Sequence, residues 1–246
     1  MPSEIDVLSY CGPAPLPTEL LARWNFDPLV LAAMAIATAA LYPRLGGAER
    51  RAFAGAILVL LVIFVSPLCA LTVALFSARV VHHVLLVAVA APLLAFALRR
   101  LLPEAKLGAL LLPFTLLHTV AFWLWHAPDA YWLALTRTPV YWLMQITLLG
   151  TATLVWSAVR GAPLARSLAS LLMLTIQMGL LGALLVFADA PLYSPHWTTT
   201  QAWGFDSLAD QQLAGLVMWV PANLPYVAFA LWQLATWLKS PGAQHS

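Results

Sequence analysis

Charged residues are scarce in this 246-residue chain, where Asp, Glu, Lys and Arg together make up 9%. A soluble domain carries about 25% charged residues, whereas 62% of this chain is hydrophobic and its mean hydropathy is +0.86. The net charge of +2 excludes the strongly basic surface of a nucleic-acid-binding protein. We therefore expect an integral membrane protein that contacts the lipid bilayer and has no nucleic-acid partner.

Cysteine is nearly absent, and so are the common catalytic motifs. Cys11 and Cys69 are too few for a disulfide framework and do not form a CxxC motif. Cys69 lies in an apolar run, and we interpret it as a small buried side chain. An HExxH motif, a glycine-rich phosphate loop and a nucleophile–base–acid set are all missing. The sequence therefore predicts a protein that is not an enzyme.

Seven hydrophobic segments are long enough, or nearly so, to cross a bilayer, which takes about 20 helical residues. They cover 26–42, 52–76, 79–98, 107–126, 139–159, 168–188 and 212–238. The period-2 alternation of a β-barrel is absent. The predicted fold is all-α: a polytopic membrane helical bundle of seven transmembrane helices. Its predicted parts are an extended, exposed extracytoplasmic leader (1–25), a membrane domain (26–238) and a cytoplasmic tail (239–246).

The distribution of Lys and Arg predicts the orientation of this bundle. The loops after the first, third and fifth segments, together with the tail, carry nine Lys and Arg residues, and the opposite side carries Arg23, Arg79 and Arg137. Because loops rich in Lys and Arg stay in the cytoplasm, the N-terminus is expected outside and the C-terminus in the cytoplasm.

Five of the six histidines map to the outer side in this topology. His82 and His83 stand near the start of the third segment. His126 ends the fourth segment, and His118 lies roughly 12 Å deeper at 1.5 Å per residue. His196 is in the last outer loop. Since such polar side chains are costly in a bilayer, their clustering on one side needs a cause.

A metal is the cause that the residue types favour. Met218 lies two turns into the seventh segment from the same side. Imidazole binds copper, zinc, iron and nickel, whereas thioether favours Cu(I) in particular, so copper as Cu(I) is the expected metal. Adjacent residues on a helix point about 100° apart, so only one of His82 and His83 can face the bundle axis. The other interpretation is that these histidines are polar side chains at the membrane boundary with no metal.

Four stretches of the sequence form an unusual pattern, most clearly Asp210-Gln211-Gln212 entering a segment that holds Gly215 and Met218. The stretches are Phe64-Val65-Ser66-Pro67-Leu68, then His83-Val84-Leu85-Leu86 with Ala91-Pro92-Leu93-Leu94, then Leu124-Trp125-His126-Ala127-Pro128-Asp129-Ala130-Tyr131, and Pro191-Leu192-Tyr193 with residues 208–221. In this order they resemble the CtaG-type cytochrome c oxidase assembly factor family.

The resemblance implies a multi-pass protein of the bacterial cytoplasmic (inner) membrane that helps to mature a haem–copper oxidase by handling copper. It implies two partners, a haem–copper oxidase subunit and a periplasmic copper chaperone. The positions that match the family pattern are His83, His126, Asp210, Gln211 and Met218. With His82 and His118 added from the outer side, the candidate metal ligands are His82, His83, His118, His126, Asp210 and Met218.

The chain departs from the family pattern at two places. Arg79-Val80 stands where the family often has His-Met, and the run Tyr141 to Gln145 lacks a histidine that the family often has. His82, Met144 and His118 are possible local substitutes. Three other functions stay open: a copper permease, a bis-histidine haem-binding membrane oxidoreductase, and a metal-free scaffold that holds an oxidase subunit.

Overall fold

The computed structural model describes residues 9–239, and all regular secondary structure within them is helical. The helices are α1 (Pro28–Leu41), α2 (Gly47–Phe64), α3 (Leu68–Ala74), α4 (Phe76–Val84), a π-helical segment (Leu85–Ala90), α5 (Ala91–Ala97), α6 (Glu104–Ala109), α7 (Leu111–His126), α8 (Pro128–Thr136), α9 (Thr138–Gly161), α10 (Leu164–Val186), α11 (Ser207–Trp219) and α12 (Leu224–Leu238). Short 3-10 turns lie in the connections. The all-α prediction is confirmed for the described residues.

Four helical stretches are long and apolar enough to cross a membrane: Phe76–Ala97, Thr138–Gly161, Leu164–Val186 and Ser207–Leu238. Helices α2 and α3 meet at a bend of 44°, and they add a fifth stretch if they are counted together as one span. The remaining two predicted segments are shorter apolar helices, Pro28–Arg44 and Leu111–His126. A 16-residue helix is about 24 Å long, less than the roughly 30 Å of hydrocarbon. The protein is therefore a membrane helical bundle, and the count of seven spans stays a prediction.

A break at Val65-Ser66-Pro67 divides the predicted second segment into α2 and α3. Pro67 lacks the amide that would continue the hydrogen-bond ladder, but it is well tolerated at the start of a helix. The Ser66 hydroxyl accepts a hydrogen bond from the amide of Leu68 at 3.2 Å. Leu75 is then extended, with φ −124° and ψ 130°, so that α4 begins at Phe76. As a result, Arg79, His82 and His83 all lie within the first two turns of a new helix.

A disulfide bond joins Cys11 to Cys69, which corrects the interpretation of Cys69 as only a small buried side chain. Sequence spacing could not reveal the pair because 58 residues separate the two cysteines. The hydroxyl of Tyr10 donates to a carboxylate oxygen of Asp27 at 2.8 Å, and the Tyr10 ring stacks on Tyr141 at 4.8 Å between centroids. The described part of the leader is therefore attached to the bundle; residues 1–8 and 240–246, with His245, lie outside the described residues.

Two glycines bring α10 and α11 into close contact. A Cβ atom added at Gly215 would lie 2.6 Å from the carbonyl oxygen of Gly182, and one added at Gly182 would lie 2.9 Å from the carbonyl oxygen of Gly215. A backbone carbonyl group cannot move aside to make room for an added methyl group as a flexible side chain can. This contact sets the distance between the helices that carry Met178 and Met218.

We expect Gly215→Ala to lower the melting temperature of the purified protein, because its methyl group would press on the backbone of α10. Gly179→Ala is the matched control, since a Cβ at Gly179 meets nothing within 4 Å. Alanine is favoured over glycine inside a helix by about 1 kcal/mol, so this control should be neutral or stabilising. Equal effects of the two substitutions in thermal unfolding would contradict the close-contact role.

Candidate metal centre

Two histidines from different helices meet inside the bundle. His83 on α4 and His126 at the end of α7 have ring centroids 5.7 Å apart, and both side chains are buried. His126 is held in one tautomer because its Nδ1 lies 2.7 Å from the carbonyl oxygen of Phe122, which can only accept. The lone pair of His126 is therefore on Nε2, the nitrogen that such a hydrogen bond leaves available to a metal.

Three ring nitrogens of this pair are buried and have no hydrogen-bond partner among the described residues. They are Nε2 of His126 and both nitrogens of His83. An unpartnered buried polar atom costs about 1–3 kcal/mol, so such atoms in a native protein call for an explanation. A bound cation that accepts one lone pair from each of the two rings would be such an explanation.

Both histidines line a small cavity together with two methionines. The cavity measures about 20 Å³ and is also lined by Met178 of α10 and Met218 of α11. A cavity of roughly 10–15 Å³ is already large enough for one water molecule, so this one has room for a single small ion. Its other walls are apolar side chains: Val80, Val84, Val87, Phe122 and Leu148.

The donor types around this cavity are two imidazoles and two thioethers. Among the described residues, no group of three or more His, Cys, Asp or Glu side chains is placed to hold a metal. Hard oxygen ligands are therefore not gathered here, and the set would suit a soft cation such as Cu(I) better than Zn²⁺ or Mg²⁺. The sequence predicted His83, His126 and Met218 as candidates; the structure brings these three to one cavity.

Met178 is the member of this group that sequence reasoning missed. Met178 lies near the middle of the predicted segment 168–188, so it was not among the candidate ligands on the outer side. In the structure Met178 lies eight residues before the end of α10, Leu164–Val186, and Met218 lies eleven residues after the start of α11, Ser207–Trp219. These distances correspond to roughly 12 and 16 Å from one side. Counting depth from the helix ends would have placed the two thioethers together.

Asp210 lies elsewhere and has a different role. Its carboxylate accepts hydrogen bonds from the amide of Phe76 at 2.6 Å, from the amide of Ser77 at 3.3 Å and from the Ser77 hydroxyl. Phe76 and Ser77 are the first residues of α4, whose amides have no partner within the helix. Asp210 is thus a capping residue supplied by α11. A negative charge at this position also complements the helix dipole.

The neighbouring Gln211 fixes the loop that precedes α11. Its side-chain oxygen accepts from the amide of Leu192 at 2.7 Å, and its amide group donates to the carbonyl oxygen of Leu185 at 3.3 Å. Tyr193 in the same loop donates its hydroxyl hydrogen to the carbonyl oxygen of His126 at 2.7 Å. The loop between α10 and α11 therefore supports the helix end that carries His126.

His82 and His118 are buried but do not line this cavity. The His82 ring packs edge-to-face on Phe64 at 5.2 Å, as its 100° offset from His83 predicts. The backbone of Ile63 is a polar neighbour of its ring nitrogens. His118 Nδ1 lies 2.8 Å from the Thr151 hydroxyl, and its side chain lines a second cavity of about 10 Å³ with Phe122, Gln177, Met178 and Tyr226.

His196 belongs to the outer loop and is held by Tyr131. The Tyr131 hydroxyl lies 2.7 Å from His196 Nε2. Burial, and to a smaller extent the charge of Arg79, lowers the pKa of His196 to about 3. The ring is therefore neutral at physiological pH and serves the packing of the loop. Met144, a possible substitute ligand, is fully buried on α9 but does not line the cavity of His83 and His126.

A buried arginine lies one helical turn from His83. Arg79 is 1% exposed, and its guanidinium carbon lies 5.4 Å from the centroid of the Tyr141 ring. The hydroxyl groups of Tyr131 and Tyr141 are its polar neighbours, and it takes part in none of the ion pairs of the described residues. Because residues four apart share a helix face, its positive charge lies close to the cavity.

The helices and the buried His–Met group define a helical membrane protein with a candidate metal centre. The chain belongs to the cytochrome c oxidase caa3 assembly factor (Caa3_CtaG) family, whose model matches residues 30–240. The resemblance of the four sequence stretches is thereby confirmed. The chain has no match among curated proteins and none among solved structures.

We expect Asp210→Ala to lower the free energy of unfolding by about 2 kcal/mol or more, because it removes a helix cap and leaves buried amides without an acceptor. Asp210→Asn keeps one oxygen acceptor and should retain part of that stability. Chemical unfolding of the metal-free protein measures both effects. A loss as large in the asparagine variant as in the alanine variant would show that the charge, and not the acceptor, is what matters.

Proposed function

We propose that this protein is a non-enzymatic assembly factor for a haem–copper cytochrome c oxidase that binds Cu(I) and passes it to an oxidase subunit. The observation that carries the proposal is the cavity between His83 and His126, which Met178 and Met218 complete. Two imidazoles and two thioethers form a soft donor set. A periplasmic copper chaperone would be the donor of the metal.

The proposed arrangement in the membrane has seven spans, with the N-terminus outside and the C-terminus in the cytoplasm of a bacterium. Two independent features support it. Lys and Arg concentrate on alternate loops. The Cys11–Cys69 disulfide bond lies on the proposed outer side, and disulfides persist in oxidising compartments. Copper would then be bound near the outer surface of the cytoplasmic membrane.

The size of the cavity favours a single ion over a larger group. A volume of about 20 Å³ is far below the few hundred cubic ångströms typical of sites for small organic ligands. A bis-histidine haem protein would need room for a macrocycle between the two rings, and the cavity that they line measures only about 20 Å³. This supports copper over haem as the ligand.

A copper permease is a second candidate because the two cavities adjoin. Phe122 and Met178 line both the His83–His126 cavity and the deeper cavity that His118 lines. An ion could in principle pass from the first to the second. Uptake of Cu(I) into sealed vesicles distinguishes a permease, which accumulates copper inside, from an assembly factor, which binds it without transport.

The test of the leading proposal is Cu(I) binding by the purified protein, measured by competition with a chromogenic chelator. We expect about one Cu(I) per chain. Loss of a metal's supporting residues typically lowers affinity about 10–100-fold, so His83→Ala, His126→Ala and Met218→Ala should each cost at least about tenfold.

His118→Ala is the matched control, since it removes an imidazole from the same helix as His126 but from outside the cavity. Its Cu(I) affinity should stay within about threefold of the unchanged protein. In cells, loss of the gene should lower the copper content of the oxidase. Normal oxidase copper in such a strain would exclude the delivery role, and equal effects of all four substitutions would argue against this cavity.

Arg79 should weaken copper binding, which suits a protein that must release its metal. At an effective dielectric constant of about 20, two unit charges about 8 Å apart repel by roughly 2 kcal/mol, and about 1.4 kcal/mol changes an affinity tenfold. We expect Arg79→Leu, which removes the charge without adding a sulfur donor, to raise the Cu(I) affinity about tenfold or more. The apo-protein should also become more stable, because replacing buried charges by apolar groups is often stabilising.

Arg137→Leu provides the control for this substitution, because Arg137 is exposed in the loop between α8 and α9. Its removal takes away the same charge without changing the interior. Neither copper affinity nor melting temperature should change in this variant. Weaker copper binding in Arg79→Leu would mean that Arg79 supports the cavity instead of opposing the ion.

A further inference from the structure

A large cleft opens at the end of the bundle opposite to the histidines. Phe96, near the end of α5, lines it and lies thirteen residues beyond His83 along the continuous helical stretch Phe76–Ala97, which is about 20 Å. The cleft measures about 820 Å³ and separates the C-terminal half of α12 from the ends of α5 and α9. It is large enough for part of a lipid molecule, and none of the residues proposed to bind copper lines it.

Positive charge collects at this cleft. The guanidinium carbons of Arg99 and Arg160 lie 4.3 and 5.1 Å from the centroid of the Phe96 ring. Arg160 pairs through Nε with Glu104 at 3.0 Å. Arg99 pairs with buried Glu49 at 2.6 Å, and Arg100 contacts the same carboxylate oxygen at 2.9 Å. Three arginines thus share two carboxylates, which leaves one excess positive charge.

The opposite wall of the cleft is aromatic and apolar. Phe229, Trp232 and Trp237 of α12 line it, and Trp232 is 59% exposed. The Phe229 ring contacts Trp156 edge-to-face at 5.5 Å, so this wall is fixed to α9. Gln233 closes the cleft, since its side chain accepts from Ser167 at 2.7 Å and donates to the carbonyl oxygen of Val159 at 3.2 Å. The cleft is therefore a built feature of the packed helices.

We propose that this cleft binds an anionic phospholipid. The phosphodiester group would lie against the guanidinium groups of Arg99 and Arg160, and the acyl chains would run along Phe229 and Trp232. Basic pockets between transmembrane helices bind anionic headgroups in this way, and tryptophans favour the boundary between headgroups and hydrocarbon. The excess positive charge selects an anionic lipid over a zwitterionic one. This proposal is independent of copper binding.

The experiment adds one lipid at a time to delipidated, detergent-purified protein and follows thermal unfolding and native mass spectrometry. Phosphatidylglycerol should raise the melting temperature by roughly 5 °C and should stay bound to the chain in the mass spectrum. Phosphatidylcholine and inorganic phosphate should do neither, because the first lacks net charge and the second lacks acyl chains.

Arg160→Gln should abolish the effect of phosphatidylglycerol, whereas Arg137→Gln, at the opposite end of the bundle, should keep it. Because Arg160→Gln leaves Glu104 without its partner, the double variant Glu104→Gln/Arg160→Gln removes the guanidinium group while the excess of one positive charge stays. It tests the contact between Arg160 and the phosphodiester group, and it should retain less phosphatidylglycerol than the unchanged protein. Trp232→Ala should weaken lipid retention with all charges in place. Equal stabilisation by phosphatidylcholine, stabilisation by inorganic phosphate, or full lipid retention in the double variant would each overturn the proposal.

Discussion

The hydrogen bonds from the start of α4 to Asp210 set the register on which the candidate metal centre depends. They tie the first turn of α4 to the first turn of α11, and both helices run away from that point in the same direction. His83 lies seven residues beyond Phe76, and Met218 lies eight residues beyond Asp210. These intervals are about 10 and 12 Å along each helix. Parallel helices joined at their starts therefore bring imidazole and thioether to one depth.

This capping explains why a carboxylate can be fully buried at that position. Burying a charge is costly unless it is hydrogen-bonded, and Asp210 accepts from two amides and a hydroxyl of α4. Gln211 uses the same helix start to hold the preceding loop, and Gly215 lets α11 approach α10. The unusual Asp-Gln-Gln…Gly…Met sequence thus combines four tasks within one helix: cap, loop anchor, close contact and candidate ligand.

Much of the candidate centre could be predicted from the sequence, and the parts that could not have physical reasons. Hydrophobic runs predicted the helices, and residue type predicted His83, His126 and Met218. Asp210 was expected as a ligand because a sequence shows that a polar group is present but does not show which atoms saturate it. The Cys11–Cys69 pair and Met178 depend on how distant segments pack, which periodicity within one segment does not encode. The break between α3 and α4 also lay outside the prediction, because the start of α4 at Phe76 follows from the extended conformation of Leu75.

The polar side chains at the two ends of the bundle differ in whether they have partners. This difference distinguishes a structural end from a candidate functional end. At the end with the arginine-rich loops, Glu49 is buried between Arg99 and Arg100, and Arg160 pairs with Glu104. At the other end, the guanidinium of Arg79 is buried without an ion-pair partner among the described residues, and both ring nitrogens of His83 are buried with no hydrogen-bond partner among them. The sequence therefore pairs its buried charged side chains at one end of the bundle but not at the other. Natural sequences break such local rules mainly at functional sites, so we expect a ligand at the end with the unpartnered side chains. The positive charge of Arg79 would oppose a cation bound there and would favour its release.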